Sequence, residues 1–179
     1  MSKKKDYLEE LTSDILLQSD MYKLPVGVIK IANDCGIEVY EKDMGNDISG
    51  KITYDKTNKE FYITVNKNNS KERQRFSVAH ELGHYFLHKD ILVKEETHID
   101  TLYRANDIKD EEARKREREV DYFAGALLMN KLMLENLYED YDIASLADIF
   151  KVSVSAMTVR MDILGLLWIL ENLQVNKSY

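Results

Sequence analysis

The sequence has little cysteine, proline or glycine and no long hydrophobic segment. Its 179 residues include one cysteine, one proline and seven glycines. A single cysteine cannot form an intramolecular disulfide, which excludes the class of small secreted domains stabilised by disulfides. The longest apolar stretch runs from Ile163 to Leu170, whereas a membrane-spanning helix needs about 18 or more consecutive apolar residues. We therefore expect a soluble, cytoplasmic domain that does not contact a membrane.

The chain is acidic, which bears on its partners. It carries 32 acidic and 25 basic residues, for a net charge of -7. This charge disfavours a broad phosphate-binding surface, so direct nucleic-acid binding is not expected. The basic segment Lys3–Lys5 is followed by Asp6 and Glu9 instead of an apolar stretch, and it therefore does not predict a secretory signal peptide.

Helical patterns dominate the chain, with a group of short β-rich segments between them. Apolar residues at helical spacing predict long helices and then shorter ones, over residues 7–18, 26–34, 71–88, 110–129, 131–139, 145–150 and 155–164. Three strands are predicted over 37–40, 48–54 and 61–65, the last two forming a hairpin. Residues 89–107 are polar without a clear period, and we predict a long connection or lid there. The fold class is therefore α+β.

One short motif carries chemistry. His80-Glu81-Leu82-Gly83-His84 has the form HExxH and lies within the predicted helix 71–88. Because residues four apart lie one turn above each other, the two imidazoles can reach the same point. Two ring nitrogens there supply two ligands of a tetrahedral zinc site. Glu81 is rotated by about 100° around the helix, which favours a carboxylate beside the open metal position. We predict zinc bound by His80 and His84, with Glu81 as the general base.

The glycine of this motif is a second signal. A glycine inside a helix costs about 1 kcal/mol relative to alanine. Gly83 therefore predicts the close approach of another group, such as a strand or a substrate. The alternative is a helix that carries two ordinary histidines. The apolar neighbours Phe76, Val78, Ala79 and Leu82 favour the metal site over that alternative.

A third zinc ligand is expected from a carboxylate on another helix. No third histidine follows the motif at the spacing His-x-x-Gly-x-x-His. In the predicted helix 110–129, Glu117 and Glu119 are the two serious candidates, and they point to nearly opposite sides. Glu117 shares its face with apolar residues and is our choice, with Glu119 as the alternative. Asp121 lies one turn from Glu117, where it can accept the second N–H of a zinc histidine.

Several other polar residues allow two interpretations. His88 extends the line of His80 and His84 by one turn. We interpret it as a polar residue packed at a helix end, with ligand orientation or oxyanion stabilisation as the alternative. Tyr85 and Tyr122 are either oxyanion donors or core tyrosines, and the sequence does not choose between these roles.

Residues 145–165 resemble a helix-turn-helix. A DNA-binding module would need basic residues there, but Asp148 and Asp162 offset Lys151 and Arg160. The segment is therefore neutral. We predict a structural or substrate-docking role for it and not DNA binding.

The chain resembles the ImmA/IrrE family of metallopeptidases, chiefly over residues 75–88 and 117–129. The second stretch is similar to the family pattern E-x-x-A-N-x-F-A followed by L-L-M-P, whose first glutamate falls on Glu117. Val120, Asp121 and Asn130 stand where that pattern has alanine, asparagine and proline. A looser resemblance extends from about Pro25 to Leu167.

This resemblance implies a zincin-like fold, in which a small antiparallel sheet packs on the HExxH helix. We predict a metallopeptidase core over residues 1–130 and a helical, helix-turn-helix-like segment over 131–179 packed on it. The resemblance also implies intracellular, site-specific cleavage of a protein substrate, such as the repressor of a phage or mobile element. The alternative is a non-catalytic, antitoxin-like regulator that binds its partner through the C-terminal helices.

Overall fold

The computed structural model describes residues 3–95, 97–101 and 110–167. In these residues the elements follow one another as α1 (Lys3–Gln18), α2 (Val28–Asp34), β1 (Glu38–Lys42), β2 (Ile48–Asp55), β3 (Glu60–Asn66), α3 (Lys71–Glu95), β4 (Thr97–Thr101), α4 (Glu111–Leu128), α5 (Lys131–Glu135), α6 (Ile143–Phe150) and α7 (Val154–Leu164). The predicted α+β class is confirmed. None of the helices described is long and apolar enough to span a bilayer.

The sheet is mixed, with the strand order β1-β3-β2-β4. Strand β2 runs antiparallel to both β3 and β4, whereas β1 runs parallel to β3. The prediction of an antiparallel sheet is therefore correct for β2 and its neighbours and wrong for β1. The chain leaves β1, skips one strand position and returns as β2. The β2–β3 hairpin then places β3 in the gap, in the same direction as β1.

The prediction of an irregular connection over residues 89–107 is wrong for two parts of that segment. Residues 89–95 continue α3 beyond a kink at His88, whose φ of -136° and ψ of 28° are not helical. Residues 97–101 form β4, which pairs with β2 at the edge of the sheet. An edge strand is held by main-chain hydrogen bonds to one neighbour, which a side-chain pattern does not reveal. Residues 102–107 lie outside the described part of the chain.

Helix α3 is the central element, because it contacts β2 and β3 of the sheet and also α4. Its residues Val78, Ala79 and Leu82 are buried in the main hydrophobic core. The same core includes Met133 of α5 and Met157 of α7. The C-terminal helices thus share the core with the sheet. The boundary after residue 130 stays a prediction, and residues 168–179 of the second unit lie outside the described part.

A buried ion pair ties the N-terminal helix to the C-terminal helices. The Arg160 guanidinium of α7 donates to both carboxylate oxygens of Glu9 on α1, each at 2.8 Å. The Tyr122 hydroxyl of α4 donates to the same carboxylate at 2.7 Å. Arg160 also donates from Nε to the carbonyl oxygen of Met129 at 2.9 Å. Helices α1, α4 and α7 are therefore held together by one polar cluster.

Asn130, the residue that replaces the proline of the family pattern, caps helix α5. Its Oδ1 accepts hydrogen bonds from the backbone N–H groups of Leu132 and Met133. Its amide donates to Oγ of Ser13 at 2.9 Å. A proline could make none of these side-chain hydrogen bonds, so asparagine begins α5 in a different way and also anchors it to α1.

Candidate metal centre

The two motif histidines lie one turn apart on α3 and are nearly completely buried. Their relative exposures are 4% for His80 and 3% for His84. The ring centroids are 4.9 Å apart, and the two Nε2 atoms are 3.2 Å apart. The i, i+4 spacing therefore turns the same nitrogen of each ring toward one point, as the motif predicts.

Glu117 of α4 joins the two histidines. Its Oε2 lies 3.3 Å from Nε2 of His80, and its Oε1 lies 3.5 Å from Nε2 of His84. Glu119 instead lies 3.2 Å from Nζ of Lys4 on α1. The two acids point to different sides of α4, so Glu117 is brought to the histidines and Glu119 is not.

Gly83 explains how α4 comes so close to α3. A Cβ atom at this position would lie 2.9 Å from Cγ1 of Val120 and 3.1 Å from Cδ1 of Phe123. The sequence predicted that another group, such as a strand or a substrate, approaches closely at Gly83. The group that approaches is helix α4. The small residue on one helix and Val120 on the other set the spacing between them.

The three donor groups suit a small metal ion. Zinc binds nitrogen and oxygen at about 2.0–2.2 Å, so neighbouring ligands at the corners of a tetrahedron lie about 3.3–3.6 Å apart. The two Nε2 atoms lie 3.2 Å apart, that of His80 lies 3.3 Å from Oε2 of Glu117, and that of His84 lies 3.5 Å from Oε1 of Glu117. One ligand atom from each residue lies within 4.8 Å of the other two. Two imidazoles and one carboxylate also match the ligand types of catalytic zinc sites. Geometry and donor chemistry therefore both suit a metal site.

Asp121 orients the first histidine. Its Oδ1 lies 3.0 Å from Nδ1 of His80, one helical turn after Glu117. With Nδ1 donating its proton to this carboxylate, Nε2 of His80 carries the lone pair that a metal requires. This is the hydrogen bond predicted from the helical spacing. The asparagine of the family pattern offers a carbonyl oxygen at that place, whereas aspartate offers a charged acceptor.

The ionisation of Glu117 also suits a ligand role. Burial by itself raises the pKa of this carboxyl group, but its interactions with the imidazoles of His80 and His84 outweigh burial and hold the pKa well below its usual value of 4.5. The carboxylate is therefore charged at neutral pH. A metal ligand must be deprotonated, so no proton has to be removed from Glu117 before a cation binds.

Glu81 lies between α3 and the sheet. Its side chain is fully buried, and a Cβ atom built at Gly50 of β2 would lie 3.6 Å from its Oε1. The same Cβ would lie 3.2 Å from Cβ of Ser77. Gly50 therefore leaves room beside the carboxylate, a role that the sequence interpretation missed. An isolated glycine within a strand pattern was the available signal.

The remaining candidates lie outside the group of three donors. The ring of His88 is 6.1 Å from that of His84, at the kink of α3. Burial lowers the pKa of His88. Tyr85 accepts a hydrogen bond from Nζ of Lys89, and the hydroxyl of Tyr122 is directed to Glu9. Both tyrosine hydroxyls are thus engaged away from the histidines.

Comparison with known sequences places this arrangement in a family. The sequence model of the IrrE N-terminal-like domain, a peptidase family, matches residues 32–162. The chain belongs to this family. The matched range includes His80, Glu81, His84 and Glu117, as well as the whole sheet. The resemblance found in the two motifs is therefore confirmed, and the family together with the three clustered donors indicates a metal site.

One known protein is similar to this IrrE-like chain in sequence, and another is similar to it in structure. It is 31% identical over 107 residues to the metallopeptidase ImmA of Bacillus subtilis (strain 168), an alignment that covers 60% of this chain and 56% of that protein. In structure it is similar to a transcriptional regulator of Mycobacterium tuberculosis, with a TM-score of 0.61, 23% identity, and coverage of 87% of this chain and 46% of that one. The chain thus spans about half the length of each of these two proteins. The structural match supports the fold.

Proposed function

We propose that the protein is a zinc-dependent endopeptidase that makes site-specific cuts in a protein substrate in the cytoplasm. The observation that carries this proposal is the convergence of His80, His84 and Glu117 within 4.8 Å of one another, with Glu81 on the same helix. The name of the Bacillus relative, metallopeptidase ImmA, supports a peptidase activity. We further propose a transcriptional repressor of phage or mobile-element type as the substrate.

Each residue has a definite task in this mechanism. His80, His84 and Glu117 would hold the ion, and Asp121 would keep Nδ1 of His80 protonated and its ring fixed. Zinc in such a site acts as a Lewis acid and lowers the pKa of water to about 7. The Glu81 carboxylate takes a proton from the attacking water as its oxygen bonds to the peptide carbonyl carbon. When the C–N bond breaks, Glu81 returns that proton to the leaving amine nitrogen.

Zinc is preferred among divalent cations by ligand type. Magnesium and calcium favour sites built entirely from oxygen ligands, whereas two of the three donors here are imidazole nitrogens. Three protein ligands, with one position left for water or substrate, are typical of catalytic zinc sites. The donor set supports zinc on these grounds.

Metal analysis provides the first test, with a matched pair of variants on α4. Wild-type protein purified without chelators should contain close to one zinc per chain. Glu117→Gln should reduce the bound zinc strongly, whereas Glu119→Gln should not, because Glu119 pairs with Lys4. Wild-type protein without zinc, or equal zinc loss in both variants, would contradict the proposed ligand set.

Co-expression with repressor proteins of phages and mobile elements provides the second test. Wild-type protein should convert a substrate repressor into two defined fragments, whereas Glu81→Gln should bind zinc but produce no fragments. Asp90→Asn, an exposed acid on the same helix, is the control and should cleave normally. If Glu81→Gln retained the full biological effect of the wild type, the alternative function would be correct. In that alternative the protein is a non-catalytic regulator that acts through its C-terminal helices.

A further inference from the structure

A groove opens between α3, α4 and α7, on the side of His80 that carries Nδ1. Its volume is about 620 Å³, within the range of about 300–1,000 Å³ of small-ligand pockets. Two of its lining residues, Phe76 and Asp121, also contact a zinc-ligand candidate. Asp121 accepts a hydrogen bond from His80, and the Phe76 ring lies 6.4 Å from the His80 ring. The groove therefore adjoins the Nδ1 side of His80, and neither Glu81 nor any of the three proposed ligands lines it.

The groove wall is largely apolar, and its charges are balanced. The apolar lining consists mainly of Phe76, Gly125, Met129, Ala156, Val159 and Ile163. The charged lining residues are Glu72 and Asp121 against Arg73, Arg118 and Arg160. The charge of Arg160 is balanced by Glu9. The remaining acids, Glu72 and Asp121, are then equal in number to the remaining bases, Arg73 and Arg118. A wall without net charge is complementary to an uncharged, apolar side chain.

Helix α7 supplies the outer wall of the groove. It is the second helix of the segment that resembles a helix-turn-helix. Its residues Met157 and Met161 are buried in the core, whereas Val159 is 57% exposed and lines the groove. An exposed valine in an apolar groove gains from burial under an apolar ligand.

We propose that this groove is a substrate subsite away from the cleavage point, which binds an apolar side chain of the substrate peptide. Val159 is then a specificity-determining residue. The inference rests on the proposed peptidase function for the meaning of the subsite, although the binding it describes can be measured without cleavage. It also gives the helix-turn-helix-like segment a substrate-docking task.

Binding of a random decapeptide library to Glu81→Gln protein loaded with zinc provides the test. Bound peptides are separated by gel filtration and identified by mass spectrometry. Peptides with leucine, isoleucine, methionine, valine or phenylalanine should be enriched. Adding Val159→Asp should weaken their retention about tenfold or more, because it places a carboxylate in the apolar wall. Adding Val154→Asp is the matched control, since Val154 is 53% exposed on the same helix and does not line the groove.

The same library distinguishes this inference from the proposed function. If wild-type protein cuts peptides but shows no apolar preference, or keeps that preference in Val159→Asp, the subsite is wrong and the peptidase stands. If wild-type protein cuts nothing, while apolar peptides are retained in a Val159-dependent way, the subsite stands and the peptidase is wrong. Equal losses in the Val154→Asp control would also overturn the subsite.

Other occupants of the groove give different results. A dimer that Val159→Asp converts into a monomer would assign this face to a contact between two copies of the chain and would overturn the subsite. Binding of duplex DNA that Val159→Asp abolishes would do the same in favour of a DNA-binding helix. Oligomeric state and DNA binding are both measured on folded protein. Unchanged thermal unfolding and zinc content verify that each variant is folded.

Discussion

Gly83 of α3 lies directly against Val120 of α4, where a Cβ atom on residue 83 would come within 2.9 Å of Cγ1 of Val120. This contact determines how closely the two helices approach. Glu117 lies one turn before Val120 on α4, and His80 and His84 lie on either side of Gly83 on α3. The spacing at the glycine therefore also determines whether the carboxylate reaches the two imidazoles.

Replacing Gly83 with alanine should destabilise the protein and weaken metal binding by His80, His84 and Glu117. An extra methyl group in a packed interface costs about 1–3 kcal/mol, and the better helix propensity of alanine recovers about 1 kcal/mol of this. Urea unfolding should show the net loss. Zinc affinity should fall as well, because α4 must move away and carries Glu117 with it.

Gly125→Ala is the control for that substitution. Gly125 also lies inside a helix, but the nearest atom to an added Cβ is Cε of Met129 at 4.0 Å. Alanine should therefore stabilise the protein by up to about 1 kcal/mol at this position. If both variants behaved alike, the contact between Gly83 and Val120 would not control the helix spacing.

Asp121 should influence zinc affinity through His80. Asp121→Ala removes the acceptor that fixes the ring, and loss of such a partner typically weakens metal binding by about 10- to 100-fold. Asp121→Asn keeps a carbonyl acceptor in the same place and should lose much less. Competition titration with a zinc-binding dye measures both affinities. An alanine variant that binds zinc as tightly as the wild type would refute the orienting role.

The buried pair between Glu9 and Arg160 should be far more important for stability than surface ion pairs. The two side chains are only 12% and 2% exposed. Arg160→Met leaves the Glu9 carboxylate without its cation and should cost about 3–5 kcal/mol of unfolding free energy. Lys131→Met breaks an exposed pair with Glu135 at 3.8 Å and should cost at most about 1 kcal/mol. Chemical denaturation compares the two losses directly.

Tyr122 should make stability depend on pH in the alkaline range. Burial, together with the hydrogen bond to Glu9, raises the pKa of Tyr122 from 10.0 to about 12. The protonated phenol is thus favoured in the folded state. The stabilisation that the protonated phenol contributes is fully present below pH 10, the pKa of the group in the unfolded chain. This stabilisation is lost as the pH rises through the pKa in the folded state, near 12.

Thermal unfolding of wild-type and Tyr122→Phe protein tests this pH dependence. The difference between them should stay constant up to about pH 10 and shrink between pH 10 and 12. Tyr7→Phe is the control, because Tyr7 is 51% exposed and its loss should change the unfolding free energy by no more than about 0.5 kcal/mol. A difference that stays constant to pH 12 would contradict the raised pKa.

Much of the candidate site could be predicted because it depends on positions along helices. The HExxH spacing predicted the convergence of His80 and His84, and the apolar face of the next helix favoured Glu117 over Glu119. Gly50 and the groove beside Phe76 were not predicted. Both arise where β2 or α7 meets α3, and residues far apart in the chain become neighbours there only after folding.

Some elements of the fold were also predictable from the sequence, whereas others were not. Helices with an apolar face were found from their periodicity, to within a few residues at most ends. Strand β4 was missed, because an edge strand needs hydrogen bonds to β2 more than it needs a side-chain pattern. The parallel pairing of β1 with β3 was also missed, since strand order depends on the path of the connecting loops.

The single cysteine in the sequence already excluded a thiolate-rich metal site and left imidazoles and carboxylates as the ligands. Helical periodicity, a local property of 3.6 residues per turn, then determined that His80 and His84 share one direction. Only the tertiary structure decided which acid completes the group and which surface lies beside it. Those choices depend on the distance between α3 and α4, which the packing of Gly83 against Val120 sets.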